Sequence, residues 1–300
     1  MTRALELPDW QVAWVRDTVA ARCGLYLGGP HEAYLSSQIA ARMRDRRLPF
    51  GDYALLLQDS PAGAGELQAL IERLCIHETR FFRDPEQFDA LARFIVPQLV
   101  REAERVGRRR IRLVSAGCST GQEAYSLAMI AAESQPLLGD IDVEVVGFDV
   151  SSDAVDRALR GVYPARDVAM LEPWRRERYF RPLAGEFEVA PALRRAVRWL
   201  RCNLTNGLPV TQVDVIFCRN VLIYFQGAQR DALIRNLVAA LRRGGFFVAG
   251  HADSLQAYRD ILEPIRTNGA VFFRRVSRAA AINAAADRLE ASVVGTRSAG

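Results

Sequence analysis

The sequence predicts an α/β protein: a doubly wound parallel sheet with a ligand crevice, preceded by a small all-helical unit. Three observations predict it. Residues 111–129, IRLVSAGCSTGQEAYSLAM, run from an apolar stretch through a turn of small residues into a helix. Residues 143–149, VEVVGFD, form a second apolar stretch that ends in an acid. Roughly the first 75 residues carry only helical patterns and no cluster of reactive side chains.

Within the helical unit, residues 10–23 place Val12, Val15, Val19 and Ala20 on one side. Gly24 and Gly28-Gly29-Pro30 punctuate the pattern. Residues 34–48 form a second helix with a Leu35, Ile39, Met43 stripe, and Arg42, Arg44, Arg46 and Arg47 crowd its end. Cations near a helix C-terminus are favourable in their own right; the same cluster would also suit an acidic partner. Residues 50–57 and 64–75 read as two more helices, split by Ser60-Pro61-Ala62-Gly63. In residues 76–83, IHETRFFR, the aromatic pair Phe81 and Phe82 suits a core. Thr79 and Arg83 have no evident structural duty and become candidates. A helix over 86–106 then leads through Arg108-Arg109-Arg110 to the first strand.

Strand, glycine turn and helix open a nucleotide-binding α/β unit. Gly117 and Gly121 let a ligand approach the backbone, and the free N–H groups of the next helix point to the same place. The spacing Gly-x-x-x-Gly is neither the dinucleotide fingerprint nor a P-loop, and an ordinary tight turn fits this stretch as well. Asp149 at the second strand tip is placed to accept ribose hydroxyls, or to help start the helix that Ser151 and Ser152 cap through Leu159. Residues 161–164 read as a stop, 166–180 as a polar helix, and 186–189 and 197–200 as short strands before Asn203-Leu204. Residues 213–218, VDVIFC, form another buried strand running into Arg219-Asn220 and Tyr224, so these residues converge on the crevice. A helix over 228–241 and strands at 246–249 and 271–274 complete the pattern, and 277–300 reads as a frayed tail or loose helix.

Composition removes other classes. No apolar run approaches membrane-spanning length, and the first residues lack a signal core. The five cysteines show no C-x-x-C pair and the three histidines no metal-ligand spacing, which suits a reducing cytoplasm and no metal. All 40 basic residues are Arg, and a net charge of +5 is a mild preference for acidic partners rather than a nucleic-acid signature.

Four stretches, HETRFFRD, SAGCSTGQEAYSLAM, GFDVSSDAVDRALRGVY and VDVIFCRNVLIYF, follow in order behind the helical unit. With them the sequence resembles the chemotaxis-receptor glutamate O-methyltransferases (CheR-type) over most of residues 1–276. The resemblance implies a Rossmann-like S-adenosylmethionine methyltransferase domain at 111–276 and a helical receptor-docking domain at 1–75. Residues 76–110 would be a linker and connecting helix, and 277–300 a flexible tail. It implies S-adenosyl-L-methionine as cofactor and S-adenosyl-L-homocysteine as product. By matching positions, His77, Thr79 and Arg83 would reach the cofactor, Arg83 near its carboxylate. Glu123 and Asp149 would hold it, Asp149 at the ribose, and Asn203 and Leu204 would flank the adenine. Arg219 and Asn220 would line the methionine side, and Arg219 with Tyr224 would face the substrate as the catalytic pair. The cytoplasmic helical region of a receptor would dock on the helix bearing Arg42, Arg44, Arg46 and Arg47.

The family often has Asn where His77 stands, and its usual Gly-Glu-Glu-Pro is Gly121-Gln122-Glu123-Ala124 here. Some members insert a β-subdomain after the Gly161-Val162-Tyr163 stop that grips a receptor tail peptide; here the interval reads as short, which argues against tethering. A glutamate carboxylate is already ionised at neutral pH, so the reaction implied asks for placement rather than a general base.

Overall fold

The computed structural model describes residues 7–58, 61–75, 78–251 and 253–276; His77 and the 277–300 tail lie outside them. The helical unit comprises α1 (Asp9–Cys23), α2 (Glu32–Arg46), α3 (Phe50–Leu57) and α4 (Pro61–Leu74). Helix α1 ends at Gly24, which has φ +77° and donates its N–H to Ala20 O at 2.9 Å. A Cβ there would stand 2.5 Å from Thr205 Cγ2 and 2.9 Å from Phe225. Only glycine can close this helix so near the α/β domain.

The arginine cluster on α2 is divided by the fold. Glu66 of α4 is fully buried. It accepts bonds from Arg42 Nε at 2.9 Å and Nη2 at 2.6 Å, from Arg46 Nε at 2.5 Å and from Tyr53 Oη at 3.1 Å. A buried carboxylate needs such compensation, so Arg42 is committed inward, while Arg44, Arg46 and Arg47 remain exposed at the surface.

The main sheet has seven strands: β1 (Arg110–Ala116), β2 (Asp142–Asp149), β6 (Val197–Arg201), β7 (Val213–Cys218), β8 (Leu241–Ala249), β9 (Leu262–Thr267) and β10 (Ala270–Arg275). Their order is β6-β2-β1-β7-β8-β10-β9. The first five are parallel, and β10 runs antiparallel to both β8 and β9. The chain builds outward from β1 through β2 to β6, then crosses to β7. The β1/β7 boundary is therefore the topological switch point, where an open parallel sheet leaves a crevice. Side chains alternate across the sheet. Val114, Val146, Ile216 and Phe247 join one core, which continues through Val15, Ile39 and Leu70 of the helical unit. Leu113, Val145, Phe217 and Phe246 join the opposite core.

Several elements depart from expectation. The helix expected over 86–106 runs without a break from Pro85 to Arg105, with a π turn over Leu91–Ile95 inside it. The 166–180 helix is two short ones, Ala165–Val168 and Pro173–Tyr179. The interval after Gly161 is not short of β structure. Strands β3 (Val162–Pro164), β4 (Phe180–Leu183) and β5 (Glu186–Val189) form an antiparallel sheet ordered β3-β5-β4. Its β4–β5 turn uses two left-handed residues, Ala184 (φ +47°) and Gly185 (φ +88°), the geometry that fits a two-residue hairpin. Strand β9 also departs from expectation; Glu263, Pro264 and Arg266 interrupt its apolar alternation.

Candidate active site

The site forms where the carboxyl ends of β1, β2 and β7 meet the helical unit. After β1 the chain turns at Gly117 (φ +80°), and a Cβ there would lie 2.2 Å from Val221 Cγ2. The N–H groups of Gly117 and Cys118 both bond Phe148 O of β2, at 2.8 and 2.9 Å. This fixes the turn beside the tip of β2 and leaves the helix Gln122–Glu133 aimed at the crevice.

Asp149 closes β2. Its Oδ2 accepts from Ser119 N at 2.7 Å and its Oδ1 from Ser151 N at 2.9 Å. The carboxylate is thus oriented by backbone from both neighbouring turns. Asn203 plays a related part after β6: its Oδ1 accepts from Thr205 N at 3.1 Å and Thr205 Oγ1 at 2.8 Å, capping the turn that presents Leu204.

Arg219 follows β7 and has a side chain only 2 % exposed. Its Nε donates to Glu123 Oε2 at 2.6 Å. Its Nη1 donates to Arg83 O at 2.6 Å, to Gln87 Oε1 at 2.8 Å and to Asp84 Oδ2 at 3.2 Å. The guanidinium also lies 5.1 Å from the Phe88 ring centre and 5.5 Å from that of Phe217. Glu123 Oε1 is taken up by Ser115 Oγ at 2.7 Å. The pair is therefore locked in one orientation, with Nη2 making no hydrogen bond among the described residues. Asn220, next in the chain, sits in the left-handed region at φ +58°. Tyr224 is half-buried; its carbonyl accepts Tyr26 N at 2.8 Å and its ring lies 6.1 Å from that of His31. Burial pushes its hydroxyl above the usual range.

The segment before the first helical turn of the α/β domain separates its roles as the sequence suggested. Phe81 packs edge-on against Tyr163 and Phe180, at 5.0 and 5.2 Å, and Phe82 packs against Phe88 at 5.1 Å. Thr79 and Arg83 instead line the crevice.

The resulting cleft encloses about 950 Å³ including its open mouth. Thr79, Arg83, Glu123, Asp149, Asn203, Leu204, Arg219, Asn220 and Tyr224, all singled out in the sequence, line it together; His77 falls outside the described residues. Missing from that reading is the wall contributed by the helical unit: Cys23, Leu25, Leu27, Leu74 and Cys75. These are ordinary core residue types, and nothing in their spacing marks them. Burial pushes the Cys23 thiol up to about 11 and Cys75 higher still, so both serve as apolar surface rather than nucleophiles. The fold also brings together groups distant in sequence: His251 Nε2 lies 2.9 Å from Glu86 Oε1 and 3.7 Å from Asp84 Oδ1. This contact ties the loop after β8 to the turn that holds Arg219.

The donor set fits S-adenosylmethionine. A glycine turn lining the cleft, an oriented carboxylate at the second strand tip, an apolar wall and two arginines match a nucleoside carrying an amino-acid carboxylate. Among the described residues no helix is long and apolar enough to cross a membrane.

Comparison with known proteins agrees with this geometry. Residues 77–271 match the profile "CheR methyltransferase, SAM binding domain", and residues 11–75 match "CheR methyltransferase, all-alpha domain". The chain is 30 % identical over 260 residues to "Chemotaxis protein methyltransferase 2" of Vibrio cholerae, covering 85 % of this chain and 89 % of that protein. It is 30 % identical to "Chemotaxis protein methyltransferase 1" of Pseudomonas aeruginosa, covering 84 % of this chain and 93 % of the relative. It is also 34 % identical to "Probable biofilm formation methyltransferase WspC" of the same organism, covering 86 % of this chain but 60 % of that longer protein. A helical domain and an S-adenosylmethionine-binding α/β domain, joined around one cleft and matched over most of their length, place this chain in the CheR methyltransferase family.

Proposed function

We propose that this protein transfers the methyl group of S-adenosylmethionine to glutamate side chains of methyl-accepting chemotaxis receptors in the cytoplasm, forming glutamate 5-O-methyl esters. The observation that carries this reading is the convergence of Arg219 and Tyr224 on the same cleft as Thr79, Arg83, Asp149 and Asn203. When bound, the cofactor supplies a methyl group on a sulfonium and leaves as S-adenosyl-L-homocysteine. Asp149 accepts the ribose hydroxyls, Asn203 and Leu204 flank the adenine, and Thr79, Arg83, Glu123 and Asn220 hold the amino-acid end. Arg219 presents Nη2 to the substrate carboxylate, a charge-assisted contact, while Tyr224 Oη orients its second oxygen. No base is needed, because a glutamate carboxylate is ionised at neutral pH. Orientation alone can lower such a barrier by roughly 7–11 kcal/mol.

Receptor docking is assigned to the exposed part of the basic helix, chiefly Arg44 and Arg47, since Arg42 and the Nε of Arg46 are engaged by Glu66. The sheet β3-β5-β4 restores a place where a receptor tail could be held. Similarity to WspC favours one variant of this reading, in which the receptor serves a biofilm-signalling array rather than motility.

The test is co-expression with candidate receptors of both kinds, followed by mass spectrometry for glutamates heavier by one methylene and by release of the label in base. Base-labile methyl on receptor glutamates is the expected result. Label confined to small molecules, or no label with cofactor bound, would overturn the proposal.

A further inference from the structure

The helical unit does more than wall the cleft. Glu72, near the end of α4, reaches across to the helix Ser152–Arg160 that follows Asp149. Its Oε1 accepts from Ser152 N at 2.7 Å and from Ser152 Oγ at 2.8 Å, and its Oε2 accepts from the Ser151 hydroxyl. Gln68, one turn earlier on α4, donates Nε2 to Glu72 Oε1 at 2.6 Å and to Val150 O at 3.1 Å. The first N–H groups of any helix need outside acceptors. Ser151 supplies one for Ala154 N at 3.0 Å, and Glu72 supplies one from another domain.

We infer that Glu72 is a positioning residue for cofactor binding: it clamps the turn over residues 149–152 so that the Asp149 carboxylate faces the cleft. This rests on the ribose assignment of Asp149. The path is continuous. Glu72 holds Ser151 and Ser152; Ser151 N holds Asp149 Oδ1 at 2.9 Å; Asp149 Oδ2 in turn holds Ser119 N of the glycine turn at 2.7 Å. Leu74 and Cys75, two and three residues after Glu72, line the cleft themselves, so one displacement of α4 moves both the clamp and the wall. Burial alone would raise the Glu72 carboxyl, but hydrogen bonds from Ser151, Gln68 and Ser152 outweigh it and hold the group below its ordinary range. It therefore acts as an anion at the positive end of the helix it caps.

The test titrates the full-length protein with S-adenosyl-L-homocysteine by calorimetry and measures transfer with saturating cofactor. Glu72→Ala is expected to weaken binding about tenfold, the scale of one lost charge-assisted support. Glu72→Gln, which keeps one acceptor, should fall between Ala and wild type. The rate at saturating cofactor and KM for receptor should stay at wild-type values in both. Should Glu72→Ala not fold, Ser152→Ala removes the Oγ contact alone and should still weaken binding measurably. Wild-type affinity in Glu72→Ala, or equal losses in cofactor affinity, rate and receptor KM, would overturn the clamp. Asp149→Ala in the same titration reports on the ribose assignment by itself: unchanged affinity there sinks that assignment whatever Glu72 does.

Discussion

Strand β7 has a buried ionic network at each end, and of the two only the one past its carboxyl end borders the cleft. At its start, Asp214 is 1 % exposed. It holds Arg242 Nε, Arg108 Nη1 at 3.0 Å and Arg112 N at 2.8 Å, and Arg242 goes on to Glu102 at 2.7 and 3.0 Å. Past its other end, Arg219 holds Glu123, Asp84 and Gln87. Both networks bury a guanidinium against carboxylates, and both need full pairing to offset desolvation. What differs is the neighbourhood. The amino end of a parallel sheet closes over its charges, whereas the carboxyl end at a switch point opens onto a crevice. A buried arginine network is thus no mark of function until a cavity borders it.

The largest effect expected from this contrast is at Arg219. Arg219→Ala should cut methyl transfer by roughly 10²–10³, the scale of losing one preorganised donor, measured in single turnovers with saturating cofactor. Arg219→Lys should not rescue it, because a point charge cannot reproduce the planar fork. Arg242→Met should instead lower stability by about 3–5 kcal/mol, the cost of unpairing a buried carboxylate, with the rate of the folded fraction unchanged. An Arg242→Met protein of normal stability and lost activity would erase the distinction between the two ends.

Asp149→Ala comes next. Removing the acceptor from the tip of β2 should raise the dissociation constant for S-adenosyl-L-homocysteine about 10–100-fold, or roughly 1.4–2.7 kcal/mol. The receptor KM should be untouched.

That much of this cleft was legible in sequence has a physical reason. Gly117 and Asp149 sit at strand ends, where apolar β-rich runs stop abruptly and leave a short list of positions that can face a ligand. Arg219 and Tyr224 follow the most apolar strand, 213–218, whose bounds the structure reproduces. The contribution of the helical unit was hidden because Cys23, Leu25 and Leu74 look like any core residue, and because Glu72 looks like a surface acid on an amphipathic helix. Long-range pairings such as Glu72 with Ser151, Glu66 with Arg42, or His251 with Glu86 leave no local trace. The β3-β5-β4 sheet was obscured by short strands, with Pro164 and Pro182 breaking the alternation and Ala-Gly standing in for the stronger turn pairs.

Acid should expose the amino-end network. Hydrogen bonds from Arg242 hold the Glu102 carboxyl below its ordinary range, with burial opposing. Burial would raise Glu66, but its bonds to Arg42 and Arg46 prevail and lower it. A carboxyl depressed in the folded state stabilises above its unfolded value and loses that contribution as pH falls through the folded value. Urea midpoints should therefore hold steady near neutrality and drop below about pH 4.3, the ordinary glutamate value. Arg242→Met should flatten part of that drop, since it removes the largest of the interactions that lower Glu102. An unchanged acid slope in Arg242→Met would remove Glu102 from the account.

The smallest expected effect concerns the proposed docking face, and it separates Arg42 from its neighbours on α2. Arg44 and Arg47 are exposed and make no ion pair among the described residues. Reversing both to Glu should cost stability no more than about 1–2 kcal/mol, the loss of two favourable cations at the helix C-terminus, and leave cofactor affinity unaltered. If an acidic receptor surface meets this helix, its apparent KM should rise a few-fold, about 3–10-fold, with most of the difference vanishing at high salt because exposed charges are screened. Arg42→Glu would confuse the measurement, since it places a second carboxylate against buried Glu66 and should destabilise the helical unit. Receptor KM that is indifferent to Arg44 and Arg47 would move the docking face elsewhere, with the β3-β5-β4 sheet the next surface to test.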